Sequence, residues 1–172
     1  MPTPTYVALA KQVLTGTQAS ITFSAIPSTY TDLLITCSAR TDRASTVDNM
    51  KIRFNGASVD TNLTSRFMFG DGTTATSSTT AYAFPGRVDA ANNTASTFAS
   101  VEIYIPNYAG STIKPISSTS VSEDNSAAGN AFVQTTASLF NDTTAISSIT
   151  LLNLFGSFVS GSRFDLYGIK NS

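Results

Sequence analysis

Apolar and polar residues alternate along most of this chain, and turn-forming residues interrupt the alternation about every 8 to 12 positions. The clearest example is residues 100–105, where Val101, Ile103 and Ile105 recur at every second position before Pro106 removes a backbone donor. A period of two sends successive side chains to opposite faces of a strand. Helix signals are nearly absent, so the pattern predicts an all-β sandwich or barrel.

The same alternation predicts about ten antiparallel strands, enough for a single β-sandwich of two packed sheets. Shorter stretches of the pattern occur around Ile52 and Phe54 and at residues 67–69. No internal repeat of fixed period is present, which argues against a propeller or a regular β-helix. The other predicted strands are residues 6–14, 19–23, 32–40, 80–88, 113–121, 131–140, 146–154 and 163–169.

Two dipeptides, Asn55-Gly56 and Asp71-Gly72, carry the strongest turn signals. Both accept the positive φ angles that a tight turn between antiparallel strands requires, so we predict hairpin turns at these positions. Residues 73–80 and 122–130 are small, polar and without periodicity. They are predicted to be long surface loops.

The 172 residues suit one domain, and no shift in composition marks a linker. Residues 1–14 are predicted to form an N-terminal arm or edge strand, and residues 15–172 the β-sandwich domain. A chain of this size buries roughly 70% of its surface on folding and needs no disulfide or metal. Its single cysteine, Cys37, lies within the alternating apolar pattern and is predicted to be a buried structural thiol.

Charge and hydropathy exclude several classes of partner. The formal charge of −1 offers no overall attraction for a phosphate backbone, so nucleic acid is not expected as a partner. The first dozen residues have neither a basic region nor a continuous apolar region of a signal peptide. No run approaches the ~20 apolar residues of a membrane helix. We therefore expect a soluble, unsecreted chain with no membrane partner.

The chain offers few side chains suited to catalysis, because it contains no histidine. Histidine is the commonest general base near neutral pH and the commonest neutral metal ligand. With one cysteine and no histidine, neither a Ser-His-Asp arrangement nor a four-ligand zinc site of Cys and His can form within the chain. No Ser-Lys pair stands out. We expect no catalytic site, no cofactor and no enzyme activity.

The acidic residues are scattered, but two loops hold them close together. Asp42 and Asp48 share one loop, and Glu123 and Asp124 share another. Either loop could contribute oxygen ligands to calcium, although neither has the spacing of a known calcium loop. Solvated surface carboxylates are the favoured interpretation, and no metal ligand is assigned.

Tyrosines offer the best candidates for contact with another protein. Tyr104 lies on the polar face of its strand, and Tyr108 lies in a Pro-Asn-Tyr-Ala-Gly turn. Tyrosines that only snorkel at the rim of a sheet are the alternative. The N-terminal segment, with Tyr6, Val7 and Leu9, is the preferred attachment element, because a strand at a chain end can extend a neighbour's sheet.

Four segments of the sequence together resemble a domain common among tailed-phage virion proteins, especially those of phages of cyanobacteria and other aquatic bacteria. They are ITFSAIPSTYTDL at residues 21–33, RFNG at 53–56, VEIYIPNY at 101–108 and FDLYGI at 164–169. The resemblance extends from near residue 6 to residue 170. It implies a β-sandwich, jelly-roll-like, that assembles with itself, often as a homotrimer, on the outside of a virion.

The resemblance leads us to expect a capsid decoration or cement protein that binds the major capsid protein or another virion protein and stabilises the head. The alternative is a tail or head fibre module that binds a receptor or carbohydrate. A polysaccharide-degrading enzyme would need a carboxylate pair that the sequence does not reveal. Under the first hypothesis, deleting residues 1–9 is expected to leave a folded trimer that no longer decorates particles.

Overall fold

The computed structural model describes residues 5–125 and 131–170, and these residues form β-strands connected by turns and loops, without a helix. Most strands have the predicted alternation of buried and exposed side chains, since one face of each sheet packs against the other sheet. The strands are β1 (Tyr6–Val13), β2 (Ser20–Phe23), β3 (Asp32–Ala39), β4 (Val47–Phe54), β5 (Leu63–Gly70), β6 (Ala75–Thr80), β7 (Gly86–Asp89), β8 (Ala99–Ile105), β9 (Lys114–Ser122), β10 (Phe132–Phe140), β11 (Ile149–Asn153) and β12 (Arg163–Ile169).

These strands form two antiparallel sheets of unequal size. The large sheet has eight strands in the order β1-β12-β3-β8-β9-β10-β5-β6, and the small sheet has four in the order β2-β11-β4-β7. One apolar cluster contains buried side chains of both sheets, so the prediction of an all-β sandwich is confirmed. The jelly-roll-like connectivity that the resemblance implies is not confirmed by this strand order.

One predicted loop and one predicted strand differ from the structure. Residues 75–80, predicted as part of a loop, form β6, because the preceding turn folds them back against β5. Backbone pairing makes this strand, and its Ser and Thr side chains carry no apolar alternation that would reveal it. Of the predicted strand at residues 80–88, only residues 86–88, in β7, and Thr80, at the end of β6, belong to strands. Residues 126–130 of the other predicted loop lie outside the described residues.

The Asn55-Gly56 turn is confirmed, but it does not make a hairpin. Both residues have positive φ, 54° and 71°, and Ala57 N donates to Phe54 O at 3.0 Å. The strand before the turn, β4, belongs to the small sheet, and the strand after it, β5, belongs to the large sheet. This turn therefore carries the chain from one layer of the sandwich to the other.

The Asp71-Gly72 turn closes the hairpin that was predicted for it. Gly72 has a φ of 87°, and Asp71 N donates to Thr74 O at 3.2 Å. The Asp71 carboxylate accepts hydrogen bonds from the backbone and hydroxyl groups of Thr73 and Thr74. These bonds, led by the one from the Thr74 backbone, hold the pKa of Asp71 well below its usual range.

The interior has an apolar half and a hydroxyl half. The apolar half lies between the small sheet and the inner face of β12, β3 and β8, where aliphatic and aromatic side chains are buried. Phe164, for example, is fully buried and meets Phe158 edge to face at 4.8 Å between ring centroids. Cys37 is also buried here, as predicted, and its burial raises its thiol pKa far above the usual range.

The hydroxyl half lies beneath β9, β10 and β5, whose buried face is rich in Ser, Thr and Gln. Ser65 is its centre: the Ser65 hydroxyl accepts from Phe84 N at 2.9 Å, donates to Tyr82 O at 3.0 Å and lies 2.6 Å from the Ser138 hydroxyl. Such buried polar groups cost free energy unless they are hydrogen-bonded. Other buried members are Ser118, Ser120, Gln134 and Thr136.

Candidate interaction surface

The large sheet has eight strands, against four in the small sheet, and its outer face is a regular surface. Alternate side chains of its eight strands point to this face, and the strand register places them in rows that cross the sheet. One such row contains, from β1 to β6, Ala8, Tyr167, Leu34, Tyr104, Ser117, Ala137, Arg66 and Thr79. The two ends of the row differ in chemistry.

At the β1 end lie three tyrosines and a leucine, which we call the tyrosine patch: Tyr6, Leu34, Tyr104 and Tyr167. Leu34 lies directly opposite both Tyr104 and Tyr167 in the sheet, so the three side chains are neighbours on one face. Each of these three is partly exposed, and Tyr6 is 56% exposed. Tyrosine is enriched at protein interfaces because its ring buries a large area and its hydroxyl can still bond.

A carboxylate fixes one ring of the tyrosine patch. The Tyr104 hydroxyl donates to Asp32 Oδ2 at 2.8 Å, and Asn107 N donates to Asp32 Oδ1 at 2.9 Å. The hydrogen bond to Asp32, followed by burial, raises the pKa of Tyr104 above its ordinary value. Tyr6 adds the smallest contribution to this rise in the pKa of Tyr104. The ring of Tyr104 is therefore held in one orientation.

The N-terminal candidates divide between the two faces of β1. This strand forms one edge of the large sheet, paired with β12. Tyr6 points to the outer face, whereas Val7 and Leu9 are half-buried and Leu9 packs against the core. A bulge between Ala8 and Ala10 interrupts the register. Tyr6 is thus the one residue of this group whose side chain is largely available to a partner.

The structure corrects the assignment of Tyr108 as an exposed contact residue. Tyr108 is fully buried, and its hydroxyl donates to the Pro27 carbonyl oxygen. In the turn that holds it, Asn107 adopts a left-handed conformation, with a φ of 48°. Burial also raises the pKa of the Tyr108 phenol. This tyrosine belongs to the core.

At the β6 end, the outer face forms an open trough, which we call the β6–β9 trough. It consists of three adjoining concavities of about 720, 660 and 460 Å³. Hydroxyl groups line it together with apolar side chains, of which Met68 is 61% and Val133 63% exposed. Its main lining residues are Arg66, Met68, Ser77, Thr79, Ser117, Thr119, Val133, Thr135, Ala137 and Leu139.

Arg66 supplies the charge of the trough. Its side chain is exposed and lines the two larger concavities. Among the ion pairs formed within the described residues, none involves Arg66. A guanidinium in this position presents several donors in a fixed plane, which suits carboxylate or sulfate groups.

Asp42 and Asp48 do not share a loop as predicted, because Asp48 lies within β4 and only Asp42 lies in the connection before it. Both carboxylates have hydrogen-bond partners. Ser157 N donates to Asp42 Oδ1 at 2.8 Å, and Gly156 N donates to Asp48 Oδ2 at 2.8 Å. Asn49 N donates to the other Asp48 oxygen, also at 2.8 Å. Both acids therefore anchor the chain around residues 156–157.

The second acidic loop follows β9 and contains Glu123 and Asp124. Glu123 Oε1 accepts from Asn125 N at 2.9 Å, and Asp124 is buried. Within residues 5–125 and 131–170, no three acidic, histidine or cysteine side chains come together as a metal-binding group. The same part of the chain contains no helix long and apolar enough to cross a membrane.

Comparison with known proteins adds no relative, since neither a protein-family model nor a curated protein matches the chain.

The sequence predicted Tyr6 and Tyr104 as contact residues, but it did not predict Leu34, Tyr167 or the β6–β9 trough. The signal for Tyr167 was present, because it alternates with the core residues Phe164 and Leu166. The trough had no such signal, since it depends on β6, which the sequence did not reveal.

Proposed function

We propose that this chain is a structural protein of a tailed-phage virion, a capsid decoration protein that binds the outer capsid surface and stabilises the head without catalysing a reaction. The phage setting rests on the sequence resemblance. The observation that supports a binding role is the tyrosine patch, where three rings gather on the outer face of an eight-stranded sheet.

Aromatic side chains on a rigid sheet suit such a role. Tyrosine carries much contact area with few rotatable bonds, so little conformational entropy is lost when a partner covers it. The bond from Tyr104 to Asp32 orders one ring before binding. Because a capsid presents many equivalent sites, moderate affinity per site suffices to cover the particle when the protein is abundant.

The copy number of the chain in purified particles tests this proposal. Quantitative mass spectrometry relative to the major capsid protein should give a ratio of the same order as the capsid protein itself. A ratio lower by one or two orders of magnitude would move the protein to the tail or to a sparse fibre. Its absence from particles would refute the virion proposal.

Substitution of the tyrosine patch tests the surface. The double change Tyr6→Ser and Tyr167→Ser removes two rings and should weaken binding to undecorated particles at least tenfold. Val13→Ser is the matched control, because Val13 is 51% exposed on the same edge strand but lies outside the patch. Equal binding by the double variant and the control would show that the patch is not the capsid contact.

A second candidate function, binding of an acidic glycan on a host surface, is favoured by the β6–β9 trough. Its hydroxyl groups can bond sugar hydroxyls, and Arg66 can pair with a uronate or sulfate group. Arg66→Gln should abolish binding to acidic polysaccharides in calorimetry. Lys11→Gln removes the same charge from β1 and should leave binding unchanged. If neither variant changes binding, or wild type does not bind, the trough has no glycan role.

A further inference from the structure

The two edges of the large sheet are unequally protected against pairing with another strand. At one edge, β1 carries a bulge between Ala8 and Ala10 and the exposed charge of Lys11. Bulges and lysines are the devices by which natural edge strands avoid association. At the other edge, β6 has neither: its sequence, Ala-Thr-Ser-Ser-Thr-Thr, is uncharged, lacks proline and keeps a regular register with β5.

The register indicates which backbone groups of β6 have no partner strand among residues 5–125 and 131–170. Asp71 and Thr74 are joined by a backbone hydrogen bond at the turn. Bonded and non-bonded pairs alternate along an antiparallel ladder. The N–H and C=O groups of Ala75, Ser77 and Thr79 therefore point away from β5. These three residues form an open row of donors and acceptors along an exposed strand.

We propose that β6 pairs with β6 of a second copy of this chain, antiparallel and about a two-fold axis at Ser77, which gives a dimer in place of the homotrimer that the sequence resemblance implies. In this arrangement Ser77 faces its own counterpart, and Ala75 faces Thr79 of the second copy. Three bonded pairs would form about six backbone hydrogen bonds. The two large sheets would become one continuous sheet across the dimer.

The uncharged side chains of β6 favour pairing with a second copy of this chain. A two-fold contact sets β6 against an identical strand, so an edge with charges of one sign would repel itself. The side chains of β6 are only methyl and hydroxyl groups, which meet without repulsion and can bond across strands. A charged strand of another protein would find no charged side chain on β6 with which to pair.

The nearest outward charge, Arg66, is also compatible with the pairing. Arg66 lies opposite Thr79 on the adjacent strand. Three strand spacings and four residues along the strand would separate it from its equivalent, a distance of roughly 20 Å. Charges that far apart are screened at physiological salt, where the Debye length is about 8 Å. The two β6–β9 troughs would then lie side by side on one surface.

Sedimentation equilibrium on the purified full chain tests the pairing. Wild type should have twice the monomer mass of 18.1 kDa. Ser77→Lys sets two like charges against each other on the axis and should give a monomer. Thr135→Lys is the matched control: Thr135 lies in the same row of the same face, two strands from the edge, and should remain dimeric.

Further measurements keep the test decisive. Circular dichroism must show that Ser77→Lys is folded; if it is not, Ser77→Pro replaces it, because proline removes only an N–H that β5 does not use. Amide exchange at Ala75, Ser77 and Thr79 should be slow in wild type and at least tenfold faster in the variant. A monomeric or trimeric wild type would overturn the proposal, as would a variant that remains dimeric.

Discussion

The apolar half and the hydroxyl half of this sandwich solve the same packing problem with different chemistry. In the apolar half, Phe164 and its neighbours gain stability from burial itself, which depends on area and fit. In the hydroxyl half, the Ser65 side chain stabilises the fold only while each of its hydrogen bonds is formed. The apolar half can repack after a small change in side-chain position, whereas the hydroxyl half depends on the distances and angles of its hydrogen bonds.

The largest expected effect is the loss of a ring from the apolar half. Phe164→Ala should lower the free energy of unfolding by about 3–5 kcal/mol, because it removes buried area and leaves a cavity beside Phe158. Urea denaturation followed by fluorescence or circular dichroism measures this. Val133→Ala, at a 63% exposed position, should change stability by less than about 0.5 kcal/mol. Equal losses would mean that the apolar half is not the main core.

Removing one hydroxyl from the other half should cost less. Ser65→Ala leaves Phe84 N–H buried without its acceptor, and we expect a loss of about 1–3 kcal/mol in the free energy of unfolding. The same denaturation experiment applies. A loss below about 0.5 kcal/mol would show that water or a neighbouring group replaces the Ser65 hydroxyl.

A third substitution separates bonded from unbonded hydroxyls. Within the described residues, the buried Ser118 hydroxyl has no hydrogen-bond partner. Ser118→Ala should therefore leave stability unchanged or raise it by up to about 1 kcal/mol. A clear loss of stability would contradict this and would indicate a bound water at Ser118.

The smallest effect concerns pH and the turn that positions β6. The pKa of Asp71 is lowered in the folded chain, so its contribution is present above the unfolded value of about 3.9 and is lost as pH falls through the lower folded value. Acid should therefore loosen this turn and speed amide exchange at Thr73 and Thr74. Asp71→Asn should remove the pH dependence. An unchanged profile in that variant would assign the effect to another group.

Sequence reasoning succeeded where apolar residues mark one face and failed where they do not. The bounds of β12 were predicted correctly because core residues alternate along it. In β10, by contrast, Gln134 and Thr136 are buried while Val133 is exposed, so polarity does not reveal the inner face. The strand β6 has no apolar pattern at all. Tyr108 was misplaced because a turn motif gives no sign of whether the turn bends toward the core.

The position of β12 between β1 and β3 also constrains how the chain is made. Among the twelve described strands, β1 leaves the ribosome first, yet its partner in the sheet, β12, is synthesised after the other eleven. Until β12 arrives, β3 has an open edge on that side as well. The eight-stranded sheet can therefore close only after translation has passed residue 169, when Lys170 N reaches Thr5 O at 3.0 Å. Folding of this domain is then a late, cooperative step, and a nascent chain stalled before β12 would be exposed to aggregation and proteolysis.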